Sequence, residues 1–229
     1  MDGLHAAASG LAAQQARMDA LSNDIANAST PGYKKERLAF RDLVDRSGTA
    51  ASDAGRSFAE GPEVASDNPL ALAIDGPGFF QVKMADGRVA LTRAGDFRLD
   101  AGGDLVTSGG ERLVPPITLP KGTDPADVSV SADGTVTAGG KKVGQIVLVD
   151  VPVRAELQAA GGGLYLATTA SGAAAEIKSQ LQQGVLEGSN VDLGDAMIDL
   201  IDAQRSFQLA SKALKTQDDL AEIANGIRR

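Results

Sequence analysis

Residues 193–218, LGDAMIDLIDAQRSFQLASKALKTQD, carry a large apolar side chain at every seventh position, at Leu193, Leu200, Phe207 and Leu214. An apolar repeat of seven marks a helix with a seam for another helix. A second column, read as Met197, Gln204, Ser211 and Asp218, makes this seam narrow and partly polar. The segment has its own start signals: Ser189 with Asp192, or Asp192 with Asp195, forms a capping pair, and Asn190 lies beside them. Asp192, Asp195, Asp199 and Asp202 precede Arg205, Lys212 and Lys215, an order that complements the helix dipole.

The other end of the chain repeats the pattern. Leu4, Leu11, Met18 and Ile25 recur every seven residues, with Ala7, Gln14, Leu21 and Ala28 as a second column. The spacing predicts a helix from about Leu4 to about Ala28, a rod of about 37 Å. Pro31 and Gly32 end it, because the residue before proline avoids the helical region and glycine permits a reversal. Asn23 and Asn27 lie just inside this end, where a joint to the next segment is expected. Two seams interrupted by polar groups make a poor core for an isolated pair, so most of the helical stability is expected from neighbouring subunits.

Between the helices the period changes. Residues 33–44 (YKKERLAFRDLV) fit either a strand or a short helix, and residues 45–67, rich in Ser, Gly, Ala, Thr and charge, read as a loosely ordered linker. From 68 to 175 the apolar residues alternate, as in Val89-Ala90-Leu91, Phe97-Arg98-Leu99 and Val128-Ser129-Val130. Turns recur at Asp86-Gly87, Gly102-Gly103, Gly109-Gly110, Asp133-Gly134 and Gly139-Gly140, which together with the alternation predicts an antiparallel β domain. The chain therefore reads as α+β: a helix and joint at 1–44, the linker, the β domain, and a helical segment at 176–229 that completes a coiled coil with the first.

Composition narrows the function. The 229 residues are 43% hydrophobic, enough for a real core, with only 3% aromatics, no Trp and no Cys. A net charge of −8 with no basic stripe argues against nucleic acid and against an anionic membrane surface. No apolar run approaches the roughly 20 residues that cross a bilayer, and no Sec-type signal is readable, so no direct membrane insertion is expected. His5, at a terminus, is the single histidine. Asp96, Asp100 and Asp104 lack the compact spacing of a calcium loop, and the Gly-rich Asp75–Gly78 and Gly161–Gly163 lack that of a phosphate loop. No catalytic residue, cofactor site or metal site is assigned.

Three stretches resemble a known family. Ser22–Lys34 (SNDIANASTPGYK) is similar to the N-terminal signature of the bacterial flagellar basal-body rod and hook proteins. Asn68–Val82 (NPLALAIDGPGFFQV) and Leu91–Val106 (LTRAGDFRLDAGGDLV) resemble the start of their β domain, and Gly184–Asp219 resembles their C-terminal helix, with Phe207 where the family usually has Tyr. The length resembles that of a rod protein with one β domain, and Leu38–Val44 looks closer to the distal form than to the proximal one.

The resemblance implies terminal helices paired as a coiled coil lining a tube, with the β domain outside. It implies no catalysis, export through the flagellar type III apparatus, and a place in the basal body spanning the envelope. The implied partners are copies of the chain, neighbouring rod and hook proteins and the export apparatus. The implied role is a self-assembling shaft that carries motor torque to the hook. Alternatives are a proximal rod or hook-like subunit, or a secreted oligomeric binding module whose β domain would present a concave polar surface. Residues expected at subunit contacts are Leu4, Leu11, Met18, Leu21, Asn23, Ile25, Asn27, Pro31 and Gly32 from the first end, and Asn190, Leu193, Met197, Leu200, Phe207 and Leu214 from the second.

Overall fold

The computed structural model describes the backbone of residues 2–43, 48–120 and 122–227, and the side chains of 8–38, 55–120 and 122–216. Leu4 therefore lies outside the described side chains. Two compact units alternate along the sequence. One comprises Met1–Asn27, Glu36–Ala54 and Val191–Arg229; the other comprises Ala28–Lys35 and Gly55–Asn190.

The first unit holds α1 (Asp2–Ala26) and α2 (Leu193–Ile227), which pack side by side, and the paired strands Glu36–Leu43 and Gly48–Arg56. The Asp192 carboxylate accepts the Asp195 N–H at 3.0 Å, so the second of the two capping frames starts α2. The covered face of α2 is Ala196, Leu200, Ala203, Phe207, Ala210 and Leu214, alternating steps of four and three. Ala196 and Ala203 are fully buried, while Met197 is 48% exposed. The second seam column is thus the small alanines rather than Met197, Gln204 and Ser211. Alanine lets a neighbouring helix approach closely and leaves the polar column outside.

On α1 the deepest side chains are Ala13, Leu21 and Asp24, whereas Leu11, Met18 and Ile25 are half-buried along one edge. Arg17 reaches across to Asp199 at 3.2 Å. Strand Glu36–Leu43 decides the reading left open for residues 33–44, and Asp24 accepts the Glu36 N–H at its first residue, at 3.1 Å. No helix among the described residues is long and apolar enough to cross a membrane.

The second unit is built on an antiparallel sheet. Its strands run in the order Gln158–Gly161, Leu164–Leu166, Val89–Thr92, Phe79–Lys83, Arg112–Leu113, Leu105–Thr107 and Phe97–Leu99, and Leu148–Asp150 pairs with both Phe79–Lys83 and Ala175–Ile177. Val128–Val130, Thr135–Ala138 and Lys141–Gln145 form a smaller sheet. The turn glycines Gly87, Gly103, Gly110 and Gly134 all have positive φ, which their turns require.

Successive strand residues point to opposite faces, and both faces of the central strand are covered. Phe80, fully buried, meets Phe97 edge-on at 5.0 Å in the larger core. Phe79 meets Phe58 at 5.4 Å in the second core, and Phe58 meets Tyr165 at 5.1 Å. Burial pushes the Tyr165 hydroxyl pKa up to about 12.

Two stretches are more ordered than their composition suggests. Residues 45–67, read as a loose linker, contain strands Gly48–Arg56 and Glu63–Ala65 and supply Phe58 to the second core. Residues 176–190, read as the first part of the C-terminal helical segment, form strands instead, Ala175–Ile177, Gln180–Gln183 and Val185–Glu187, and the helix starts only at Leu193. Gln180–Gln183 pairs with Leu72–Asp75 and buries Leu181, and Val185–Glu187 pairs with Glu63–Ala65. For Glu63–Ala65, Gln180–Gln183 and Val185–Glu187 the partner strand is distant in sequence, so a local pattern gives no warning of it.

Candidate functional site

The segment that ends α1 is held in detail. Asn27 donates from Nδ2 to the Asn23 carbonyl and to Asn23 Oδ1, each at 2.9 Å, so these two asparagines close the helix between them. Beyond Pro31 the chain turns through Gly32 at φ +69°, and a Cβ there would lie 2.5 Å from the Ala94 nitrogen. Only glycine fits, for both conformation and space. The Gly32 N–H donates to the Glu187 carbonyl at 2.7 Å.

Tyr33, buried, lies beneath the Arg56 guanidinium at 5.5 Å, and Arg56 Nη1 donates to the Lys34 carbonyl at 3.0 Å. Asn190 answers from the other end of the chain. Its Oδ1 accepts the Lys35 N–H at 2.7 Å, its Nδ2 donates to the carbonyls of Ser57 at 2.7 Å and Ala59 at 3.0 Å, and its N–H donates to the Tyr33 carbonyl. One side chain thus ties residues 33–35 to 57–59.

Beneath these contacts lies an ionic cluster. Lys34, Arg93 and Glu187 are each less than 5% exposed. Lys34 Nζ donates to Glu187 Oε1 at 2.5 Å and to the Ala59 carbonyl at 2.6 Å. Arg93 Nε donates to Glu187 Oε2 at 2.7 Å, and its Nη1 donates to the carbonyls of Gly76 and Gly78 at 2.9 and 2.8 Å. The Gly61 N–H completes the shell of Glu187 Oε1 at 3.0 Å. Burial holds the Lys34 ammonium pKa below the usual lysine range, partly offset by the Glu187 carboxylate.

Of the predicted contact residues, Gly32 and Asn190 belong to this cluster in the second unit, and Pro31 enters it. Leu11, Met18, Leu21, Asn23, Ile25, Leu193, Met197, Leu200, Phe207 and Leu214 lie on the two helices of the first unit, and Asn27 follows the end of α1. Leu193 and Met197 are 45% and 48% exposed, Ile198 and Ile201 beside them are 62% and 48% exposed, and Leu209 is 70% exposed.

Sequence reasoning missed Lys34, Arg93 and Glu187. Each nevertheless falls inside one of the three stretches that carry the family resemblance, and a charged residue within such a stretch was the available signal. Asp100 and Asp104, considered for a cation, are taken up by a turn: Asp100 accepts the N–H groups of Gly102 and Asp104, and Asp104 accepts from Thr118 and pairs with Arg112. The hydrogen bond from the Asp104 N–H leads in holding the Asp100 carboxyl below the usual carboxylate range.

Three family models match the chain in order. Residues 4–34 match the flagella basal body rod protein family, residues 73–138 the D1 domain of the flagellar hook protein FlgE/F/G, and residues 182–227 the C-terminal part of the flagellar basal body rod FlgEFG proteins. The chain is 34% identical to the flagellar basal-body rod protein FlgG of Borreliella burgdorferi, over 100% of this chain and 99% of the relative. It is 34% identical to FlgG of Caulobacter vibrioides over the whole of both chains. With the flagellar basal-body rod protein FlgF of Escherichia coli the identity is 31%, over 95% of each chain.

Proposed function

The chain belongs to the flagellar basal-body rod proteins and is a structural subunit of the basal body, not an enzyme; from that premise we propose that it forms the distal rod by assembling with copies of itself through its two helices. Membership implies assembly with other rod and hook proteins. The greater similarity to FlgG than to FlgF favours the distal position.

One observation carries the assembly reading. The face of α2 bearing Ala196, Leu200, Ala203 and Phe207 is covered within the chain, while Leu193, Met197, Ile198 and Ile201 stand about half exposed or more on the same helix. An apolar patch of this kind marks a contact surface.

In this reading α1 and α2 pair as a coiled coil along the seam positions Leu11, Met18, Ile25, Leu200, Phe207 and Leu214. Different patches on successive identical subunits meet without closing a ring, which builds an open helical tube. The subunit leaves the cell through the flagellar type III apparatus, takes its place across the envelope and passes torque to the hook. Electron microscopy of the concentrated protein tests the reading: helical tubes are expected, and a closed small oligomer would favour the secreted binding module instead.

A further inference from the structure

Three separate stretches of the second unit converge on Glu187, residues 32–34, 59–61 and Arg93, and Arg93 in turn holds residues 76–78. Glu187 grips the first stretch twice, through its carbonyl on the Gly32 N–H and through its carboxylate on Lys34. In sequence, residues 28–35 follow α1 and residues 187–190 precede α2. We propose that Lys34, Arg93 and Glu187 are positioning residues, an ionic latch that fastens the chain leaving α1 to the chain entering α2, so that both connections move as one piece when the rod is loaded. The loading part rests on the rod reading above; the latch itself does not.

The argument is one of charge count. Two cations share one carboxylate in a dry interior, and a buried charge stripped of its partner is costly, whereas a matched pair is tolerated. Removing Lys34 leaves a one-to-one pair of Arg93 and Glu187. Neutralising Glu187 leaves two buried like charges with no counterion. A packing role predicts the reverse order, because Glu187→Gln hardly changes volume while Lys34→Met removes the whole charged head group.

The test uses the full chain and trypsin under native conditions, following cleavage after Lys35, a site present in every variant. Cleavage of a folded protein by limiting protease follows the population of the opened state. Glu187→Gln should speed it by at least about tenfold, the scale expected for a buried charge left without its partner. Lys34→Met should change it much less, and adding Lys34→Met to Glu187→Gln should recover part of the loss, because one buried cation, Arg93, is then left without a counterion instead of two. The latch is overturned if Glu187→Gln is no more open than Lys34→Met, or if the double variant is as open as Glu187→Gln alone. Should Glu187→Gln fail to fold, Lys34→Met alone decides: a folded Lys34→Met supports the latch, and a Lys34→Met that also fails to fold overturns it.

Loading is read separately, by swimming of a deletion strain complemented with Glu187→Gln. Swimming that falls more in viscous than in thin medium supports the loading role, and equal swimming in both media overturns it while leaving the latch standing. Failure of the unmutated protein to build tubes would count against the rod reading alone.

Discussion

The β unit closes on itself and the helical unit does not. In the β unit Phe79 and Phe80 bury both faces of one strand, and charged Lys34, Arg93 and Glu187 find all their partners inside. In the helical unit the covered seam is largely alanine, and four large apolar residues of α2 between Leu193 and Ile201 stay about half exposed or more. Burial of apolar surface is the main source of folding free energy, so the β unit draws its stability from within and, in the proposed assembly, the helical unit draws on what it will meet. The proposed route, in which single subunits are delivered and then built into a shaft, needs that division.

The division breaks most visibly at Phe80. Phe80→Ala opens a cavity in the larger core and should cost about 3–5 kcal/mol. Phe207→Ala, at a half-buried helical site, should cost clearly less in the free protein. Urea unfolding of both variants checks the ranking, and equal losses would mean that the helices are as self-sufficient as the sheet.

Next in size is an effect on assembly. Met197→Asp together with Ile201→Asp places two charges on the exposed face of α2. The concentration needed to form tubes should rise more than about tenfold, equivalent to about 1.4 kcal/mol of lost contact. The unfolding midpoint of the β unit should stay where it is. Tubes forming at the original concentration would remove this face from the interface.

The same contrast explains what was legible in the sequence. The helices announced themselves because their signals are local: a repeat of seven, acidic residues early, a stop at Pro31-Gly32. Even so, the column facing inward was misread, since Ala196 and Met197 both satisfy a seven-residue spacing and the larger side chain drew attention. The alternation at Val89-Ala90-Leu91 and the turn at Asp86-Gly87 were equally readable. Strands Gly48–Arg56 and Gln180–Gln183 were not, because the second depends on pairing with Leu72–Asp75, more than 100 positions away. The ionic cluster was hidden for a related reason: Lys34, Arg93 and Glu187 look like ordinary surface charges until three distant stretches meet.

A smaller effect sharpens the helical side of the comparison. Asp192→Ala removes the side chain that accepts the Asp195 N–H and should cost about 1 kcal/mol of helix stability. Ser189→Ala should alter the start of α2 less, since Asp192 and not Ser189 is the residue immediately before Leu193, where the helix begins. Thermal unfolding followed by circular dichroism at a helix wavelength distinguishes the two, and equal effects would restore the first capping frame.

The smallest expected effect sits on the β side, at a bond half open to water. Arg154 donates from Nε and Nη2 to the two oxygens of Asp150, at 2.8 and 2.6 Å. That pair leads the causes that hold the Asp150 carboxyl below its ordinary range. A carboxylate whose folded pKa is lowered stabilises the fold above its unfolded pKa and loses that contribution as pH falls through the folded value. Arg154→Met should therefore cost about 0.5 kcal/mol near neutral pH, in keeping with a partly exposed pair. The gap between the two proteins should close in acid, below the carboxylate range, and a gap that widened there would assign the stabilisation to the packing of the arginine stem instead. Against the buried Lys34, Arg93 and Glu187 cluster, this pair also measures how much of an ion pair's strength comes from exclusion of water: strong salt should shrink the Arg154 effect and leave the effect of Glu187→Gln nearly unchanged.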